Sequence, residues 1–375
     1  MSSSKDLSRR DFLKTAGWVA GAAALAPSLL NAAEPAKKND VPPSGPVPMR
    51  TLGKSGLKIS AVSVGTGGGQ DPKIIQYAIK RGINFFHTAT GYAKGAAIQN
   101  LGLGIKGKRN KAVIGLKITW GLKNDKEMDA ALETLGTDYA DIAFFNIHSA
   151  AEVKDPKYHE AAERWIKMGK FKHIGMTTHS EMKGCMEEAL KQGFYEALMP
   201  SYNLTMEAEC RPVFEEAARQ NVGIILMKTQ HKLDDDAYSK AIPQLLATPG
   251  VTTINKSLGS FANIDAAITH ARAKATAQDA DEIRKTSRIA LTGHCAMCGA
   301  CTAACPKGMP VADLVRCSDY YLSSSAYHGM ARDVFASLEN RGTPADCANC
   351  RLCEQACNQQ VPIRHHLNRS YTLLA

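Results

Sequence analysis

The central part of the chain alternates between short apolar runs rich in β-branched residues and segments with the period of an amphipathic helix. This alternation, from residue 50 to about residue 272, is typical of parallel βαβ units rather than of a β-sandwich or a helix bundle. Eight such units fit one (β/α)8 TIM barrel, an α/β fold of about 250 residues. A doubly wound open sheet is the alternative. The predicted strands are residues 59–64, 83–87, 112–117, 141–148, 173–177, 197–202, 223–228 and 252–254.

Polar residues lie where several of these predicted strands end. In a (β/α)8 barrel the chemistry takes place at the carboxyl ends of the strands, so these side chains are candidates for a site. The alternative for any one of them is a hydrogen-bonded residue at the rim of the barrel. Because several converge on one face, the sequence predicts a site at the barrel mouth. The residues are His87, Tyr92, Lys117, His148, His179 and Lys228.

Eight of the eleven cysteines form two groups near the carboxyl end. Each group has the Cys-x2-Cys-x2-Cys-x3-Cys spacing of bacterial ferredoxins. Pro306 directly follows the first group, whereas Asn358 follows the second, and a further proline lies five residues beyond each last cysteine. The two segments therefore look like an internal duplication. The groups are Cys295, Cys298, Cys301 and Cys305, and Cys347, Cys350, Cys353 and Cys357.

The resemblance to two-cluster ferredoxins implies two [4Fe-4S] clusters. In those proteins the fourth cysteine of each group serves the other cluster. One cluster would then be bound by Cys295, Cys298, Cys301 and Cys357, and the other by Cys347, Cys350, Cys353 and Cys305.

Zinc sites and disulfides are the alternative uses of these cysteines. Zinc ribbons use paired Cys-x2-Cys units rather than triplets with a displaced fourth cysteine. Disulfides also fit poorly, because cysteines three apart in a tight loop are badly placed to pair with each other. Cys185, Cys210 and Cys317 stand apart, and we expect them to pack as small apolar side chains.

The amino end resembles a twin-arginine signal peptide. Residues 8–14 read Ser-Arg-Arg-Asp-Phe-Leu-Lys, and an apolar stretch rich in Ala and Gly follows at residues 15–30. This stretch is shorter than the about 20 residues of a membrane-spanning helix. Export to the periplasm by the twin-arginine machinery is therefore expected, and a retained membrane anchor is the alternative. The twin-arginine route also implies a cofactor inserted before export.

The composition is that of a globular protein, which excludes a disordered chain and a multi-span membrane protein. The 375 residues carry a net charge of +10, but no run of five basic residues, so nucleic acid is not an expected partner. The predicted organisation is a signal peptide (1–33), a linker (34–48), the barrel (49–272), a connecting helix (273–294) and a mostly helical iron–sulfur domain (295–375). In that domain, residues 311–340 have a helical period and are expected to pack the domain against the barrel.

Several motifs between residue 50 and about residue 270 resemble those of the aldo/keto reductases. That resemblance implies that Tyr92 donates a proton to a substrate carbonyl, that Lys117 lowers the pKa of this tyrosine, and that His148 orients the carbonyl. Where the family has an aspartate, this chain has His87, which cannot supply a counter-charge to the lysine. The motifs are residues 50–60, 82–92, 141–148, 169–175, 201–203 and 227–228.

The same resemblance implies a nucleotide site after the last strands. Lys256 and Ser257 match a motif that contacts the ribose phosphate of NADPH, and Lys228 is a further candidate contact. Two features oppose nucleotide binding. Ala262 stands where an arginine is expected, and residues 229–232 are bulkier than the family's glycine-rich loop. NADP(H) as a cofactor therefore stays open.

Together these features predict an exported iron–sulfur oxidoreductase. It would transfer electrons between a redox partner, or NADPH, and a small carbonyl-type molecule at the barrel mouth. Free NADPH is not expected in the periplasm, so the clusters would replace it as the electron source. The alternatives are a non-enzymatic electron-transfer or docking protein with a retired reductase barrel, and an NADPH-dependent reductase whose clusters are structural or regulatory.

Overall fold

The computed structural model describes residues 45–118, 124–323 and 325–375. The predicted signal peptide and residues 34–44 of the predicted linker lie outside these ranges. Across the described part of the chain, the helices are all too short or too polar to cross a membrane.

Eight parallel strands close into a barrel, which confirms the predicted α/β architecture. Strands β3 to β9 follow each other around the barrel in chain order, and β10 pairs with β3 to close it, with Ile254 opposite Val62. The strands are β1 (Met49–Thr51), β2 (Lys58–Ser60), β3 (Val62–Gly65), β4 (Phe85–Ala89), β5 (Val113–Ile118), β6 (Ala140–Ile147), β7 (Phe171–Thr178), β8 (Ala197–Pro200), β9 (Gly223–Met227) and β10 (Val251–Lys256).

An antiparallel hairpin of β1 and β2 precedes the barrel and corrects the first predicted strand. Residues 59–64 do not form one strand, because the backbone leaves the hairpin at Ala61, whose N–H bonds to Pro48, and joins the barrel at Val62. The apolar run continues through this break, so its pattern does not reveal it. Leu52 and Ile59 are fully buried against residues at the amino ends of the strands. The hairpin therefore plugs one end of the barrel, and the opening lies at the carboxyl ends of the strands.

Helices cover the outside of the barrel, and several begin at a clear capping signal. Asp71 and Asp155 each accept a hydrogen bond from the second helical N–H, and each precedes a proline. The helices are α1 (Pro72–Lys80), α2 (Ala96–Ile105), α3 (Asp125–Leu135), α4 (Ala150–Val153), α5 (Pro156–Lys167), α6 (Met182–Gln192), α7 (Glu207–Arg219), α8 (Asp235–Ala247), α9 (Phe261–Arg272), α10 (Ala277–Leu291), α11 (Ala300–Ala303), α12 (Val311–Ser323), α13 (His328–Ser337), α14 (Leu352–Gln355) and α15 (Ile363–Leu374).

The carboxyl-terminal region, residues 295–375, is helical, as predicted, and we call it the cysteine module. Its two halves share one backbone pattern. A short helix, α11 or α14, carries the third cysteine of each group, and a longer helix, α12 or α15, begins directly after Pro310 or Pro362. In both halves an N–H three residues past the last cysteine bonds back to that cysteine's carbonyl. The duplication seen in the sequence is therefore also a duplication of structure.

Candidate active site at the barrel mouth

A cavity of about 1680 Å3 lies at the carboxyl ends of the barrel strands. The strand ends and the loops that follow them form one wall, and helices α12 and α13 of the cysteine module form another. The structure brings together at this cavity all the residues that the sequence assigned to the mouth. Those residues are His87, Tyr92, Lys117, His148, His179, Lys228, Lys256 and Ser257.

His87 lies on β4 at the position where the resemblance implies an aspartate, and it is buried. Its ring packs edge-on against Phe144, with centroids 5.5 Å apart, and its Nε2 has no hydrogen-bond partner. Burial, and then the nearby Lys117, lower its pKa to about 3. His87 is therefore a neutral ring at physiological pH and gives the lysine no counter-charge.

Lys117 is the penultimate residue of β5 and is 5% exposed. Burial, and then the positive charges of Arg316 and Lys228, lower its pKa to about 7, while Asp313 acts in the opposite direction. Near neutral pH this amine is divided between its charged and neutral forms. A group in that condition can both donate and accept a proton in catalysis.

Tyr92 lies in the loop after β4, where Ala93 and Lys94 have left-handed backbone angles. The Nζ of Lys117 is 6.0 Å from the centre of its ring. Desolvation in the cavity nevertheless raises the pKa of Tyr92, and neighbouring Tyr320 raises it further. The lysine is thus near the phenol, as the resemblance implies, but the expected lowering of the pKa is not found.

His148 follows β6 and is held by groups on both sides. Its backbone N–H donates to Glu152 at 2.7 Å, and its Nε2 is 2.9 Å from the side-chain nitrogen of Asn146. Its Nδ1 is 3.7 Å from an oxygen of Asp313, a residue of helix α12. His148 of the barrel is therefore in contact with the cysteine module.

Asp313 is 1% exposed and is bonded through both carboxylate oxygens. One oxygen pairs with Arg316, and the other accepts a 2.5 Å hydrogen bond from the hydroxyl of Ser180 on the barrel. Burial alone would raise the pKa of Asp313, but Arg316, with His148 and Ser180, holds it well below its usual range. Through this carboxylate, which is also paired with Arg316 within α12, the helix is joined to Ser180 and His148 of the barrel.

Tyr320 lies one helical turn beyond Arg316 on α12. The Nζ of Lys228 is 4.4 Å from the centre of its ring, and the guanidinium carbon of Arg316 is 5.4 Å from it. Burial would raise the pKa of Tyr320, yet these two cations lower it below its ordinary value. The cation-tuned phenol of this mouth is therefore Tyr320.

Asp313, Arg316 and Tyr320 are the site residues that sequence reasoning missed. The segment was recognised only by its apolar positions, which marked it as a helix that packs on the barrel. The spacing of Asp313 and Arg316, three residues apart, is compatible with an ion pair on one helix face. That signal does not distinguish a solvated pair from a buried one.

The predicted nucleotide contacts lie against aromatic rings. Lys228 has a left-handed backbone, with a φ of 61°, and its side chain lies over Tyr320. Lys256 lies with its Nζ 4.3 Å from the ring centre of Tyr238, and burial lowers its pKa. Ser257 lines the cavity beside it.

All eleven cysteines lie in described parts of the chain, and all are free thiols. The pKa of Cys301 is raised by burial and then by neighbouring cysteines that include Cys357 of the other group. The pKa of Cys347 is raised in the same way, with Cys305 as a neighbour. The fourth cysteine of each group therefore lies near the other group. Within the described ranges, no three His, Cys, Asp or Glu side chains converge on a position for a single metal ion.

The cysteine module is hydrogen-bonded directly to the mouth. The Nε2 of His231, which lines the cavity, is 2.5 Å from the carbonyl oxygen of Cys295. Asn203, after β8, donates to the carbonyl of Ala296 at 3.2 Å. The first cysteine group is thus one residue away from the lining of the cavity.

By contrast, Cys185, Cys210 and Cys317 are buried in apolar cores, as expected.

Comparison with known proteins finds similarity in the barrel. The model of the aldo/keto reductase family matches residues 70–232. An aldo-keto reductase described as putative, from Pseudomonas aeruginosa, is 21% identical over 60% of this chain and 95% of its own, with a TM-score of 0.51. The holo form of an aldo-keto reductase from Bacillus halodurans is 19% identical over 64% and 96%, with a TM-score of 0.53. One from Klebsiella pneumoniae, in complex with NADP and acetate, is 16% identical over 63% and 94%, with a TM-score of 0.52. The likeness to these structures concerns the fold.

Proposed function

The barrel contains an aldo/keto reductase family domain, the domain of an oxidoreductase family, and on this premise we propose that the protein is an exported iron–sulfur oxidoreductase. It transfers electrons between a redox partner and a small carbonyl-type molecule held at the barrel mouth. The observation that carries this proposal is the direct contact between the first cysteine group and the cavity, through His231 and Cys295.

The cysteine module suits two [4Fe-4S] clusters. Its support is the proximity of Cys357 to Cys301 and of Cys305 to Cys347, because two-cluster ferredoxins bind each cluster with the fourth cysteine of the other group. The backbone N–H of Met297 also donates to the sulfur of Cys295 at 3.3 Å, and hydrogen bonds of this kind tune the potential of a cluster. Bound here, the clusters would supply electrons one at a time, and two of them hold the pair that a carbonyl requires.

The residues of the mouth provide the protons. Reduction of a carbonyl to an alcohol consumes two electrons and two protons. Lys117, with a pKa of about 7, exchanges protons at neutral pH, and Tyr92 lies beside it as the proposed donor to the carbonyl oxygen. His148, held by Asn146 and Asp313, orients the carbonyl. His87 is neutral and shapes the apolar wall behind them.

A redox partner is favoured over NADPH as the electron source. Lys256, the side chain that would meet the ribose phosphate of NADPH, lies against the ring of Tyr238, and Ala262 stands where the resemblance implies an arginine. The test is carbonyl turnover by the anaerobically purified protein, driven either by reduced methyl viologen, a one-electron donor, or by NADPH, and compared with its Cys301→Ser and Cys353→Ser variants. Turnover with the one-electron donor that needs both cysteines supports the proposal. NADPH turnover that both variants retain in full would mean that the barrel is an ordinary nucleotide-dependent reductase.

Export by the twin-arginine route is part of the same proposal. Its support is the Ser-Arg-Arg-Asp-Phe-Leu-Lys sequence at residues 8–14. Replacement of Arg9 and Arg10 by lysine should hold the cluster-loaded protein in the cytoplasm, as measured by cell fractionation. Unchanged delivery to the periplasm would contradict this part of the proposal.

A further inference from the structure

Three cations, Lys117, Lys228 and Arg316, line the cavity. The carboxylate of Asp313 acts on Lys117 and Arg316, and both its oxygens are already bonded, one to Arg316 and the other to Ser180. A net positive charge therefore remains among these four groups when Lys117 is protonated.

One nitrogen of the Arg316 guanidinium has no hydrogen-bond acceptor in the protein. This side chain is 4% exposed, and one of its terminal nitrogens pairs with Asp313. Its Nε, in contrast, is buried without a hydrogen-bond partner. A buried donor without an acceptor in the protein is costly, so its occurrence in a side chain that lines a cavity indicates a ligand acceptor.

The two phenols of the cavity, Tyr320 and Tyr92, lie beside different groups. Tyr320 lies between Lys228 and Arg316, whereas Tyr92 lies beside Lys117 and His87. A molecule that spans the cavity can therefore place a charged end at one phenol and a reacting carbonyl at the other.

We propose that the mouth binds a substrate that carries an anionic group, a carboxylate or a phosphate, and that Arg316 and Lys228 hold this group. In calling the ligand a substrate, the inference rests on the proposed function. Arg316 belongs to the cysteine module, so the binding site is complete only when the module covers the barrel. Guanidinium groups bind carboxylates and phosphates through paired hydrogen bonds, which suits the free donor at this position.

The test is calorimetric binding to the cluster-loaded protein in its oxidised state, without any electron source. Two matched pairs of probes distinguish the chemistry: pyruvate against methyl pyruvate, and dihydroxyacetone phosphate against dihydroxyacetone. We expect one anionic probe to bind at least about 10-fold more tightly than its uncharged counterpart. The pair that shows this preference identifies the carboxylate or the phosphate.

Variants locate the anion. The double change Arg316→Gln with Asp313→Asn removes both charges of the buried pair and should weaken the anionic probe by about 10- to 100-fold, with little effect on the uncharged one. Lys228→Met should act in the same direction without disturbing that pair. Arg332→Gln is the matched control, because Arg332 lies 5.5 Å from the ring centre of Tyr321 on the same module, outside the cavity lining. It should bind the anionic probe as the parent protein does.

Two results would overturn the inference. One is equal affinity for the charged and uncharged members of both pairs. The other is displacement of the anionic probe by NADPH together with loss of NADPH affinity in Arg316→Gln/Asp313→Asn, which would make this a nucleotide phosphate site. Because binding is measured without turnover, the anion site can fail while the electron-transfer proposal stands. Equally, it can hold in a protein whose clusters play no part in catalysis.

Discussion

The barrel and the cysteine module are built on different principles. The barrel strands are buried almost throughout, and they contribute to one large apolar core and to a second, much smaller one. The module has a small core that includes the thiols of Cys301 and Cys353, with four more cysteines packed at its edge. The barrel therefore gains its stability from buried apolar surface, whereas the module surrounds its cysteines. If the module binds the proposed clusters, this difference predicts that it depends on them for its stability and that the barrel does not.

Removal of the clusters should break this comparison most sharply. In the double variant Cys301→Ser/Cys353→Ser, we expect the amide protection of helices α12 and α15 to fall on the order of 100-fold or more, while the barrel strands stay protected. Hydrogen exchange measures both regions at once. Cys317→Ala is the control, since this buried cysteine of α12 lies outside the two groups. Equal protection of the module with and without its clusters would contradict the account.

The junction of the two regions includes a buried carboxylate, Asp313 of helix α12. It accepts a hydrogen bond from Ser180 on the barrel and pairs with Arg316 in its own helix. Asp313→Ala leaves Arg316 charged and unpaired, so we expect a loss of about 3–5 kcal/mol in the free energy of unfolding. Denaturant unfolding measures it. Lys307→Ala breaks an exposed pair with Asp346 in the same module and should change stability little. If the two variants lose the same amount, Asp313 does not hold the junction.

The buried Lys117 lowers the stability of the barrel. Lys117→Met should raise the free energy of unfolding by about 0.5–2 kcal/mol and abolish activity. The folded pKa of about 7 lies below the unfolded value of 10.5, so the folded state disfavours the proton. The gain should therefore be fullest below pH 7 and vanish as the pH rises towards 10.5. Unfolding curves at pH 6.5 and pH 9 measure this, and a variant less stable at pH 6.5 would refute it.

A carboxylate at residue 87 should have a smaller effect on the mouth than the changes described above. In His87→Asp, the new charge faces Lys117 and should raise the pKa of this lysine by about 1–3 units. Anion affinity, followed against pH in the calorimeter, should then persist to higher pH. His87→Asn, which is isosteric with His87→Asp, supplies no charge and should keep the parent pH profile of anion affinity. Identical profiles for Asp and Asn would show that residue 87 does not act on the lysine.

The sequence predicts these two regions unequally well. The barrel follows from local periodicity, and its strands lie within a few residues of their predicted places, apart from the break at Ala61 that a continuous apolar run conceals. The cysteine groups follow from spacing alone. The electrostatics of the mouth do not, because Arg316 and Tyr320 reach Lys117 and Lys228 from a helix that is far away in the chain.

The same distance in sequence explains the reversal at the phenols. A local argument assigns the cation-tuned tyrosine to Tyr92, beside Lys117. In the folded chain Tyr320 lies in the same cavity, where Lys228 and Arg316 lower its pKa. The pKa of Tyr92, in contrast, is raised. The chemistry of the mouth is thus a property of the contact between the two regions.

The most direct test of that contact is to mix the anaerobically reduced, cluster-loaded protein rapidly with an anionic oxo compound and follow the cluster absorbance. The account predicts that the clusters reoxidise, that one carbonyl is reduced for each pair of electrons, and that Lys117→Met loses this reaction while its clusters can still be reduced. Clusters that stay reduced in the presence of the carbonyl, in a protein that turns it over with NADPH, would contradict it.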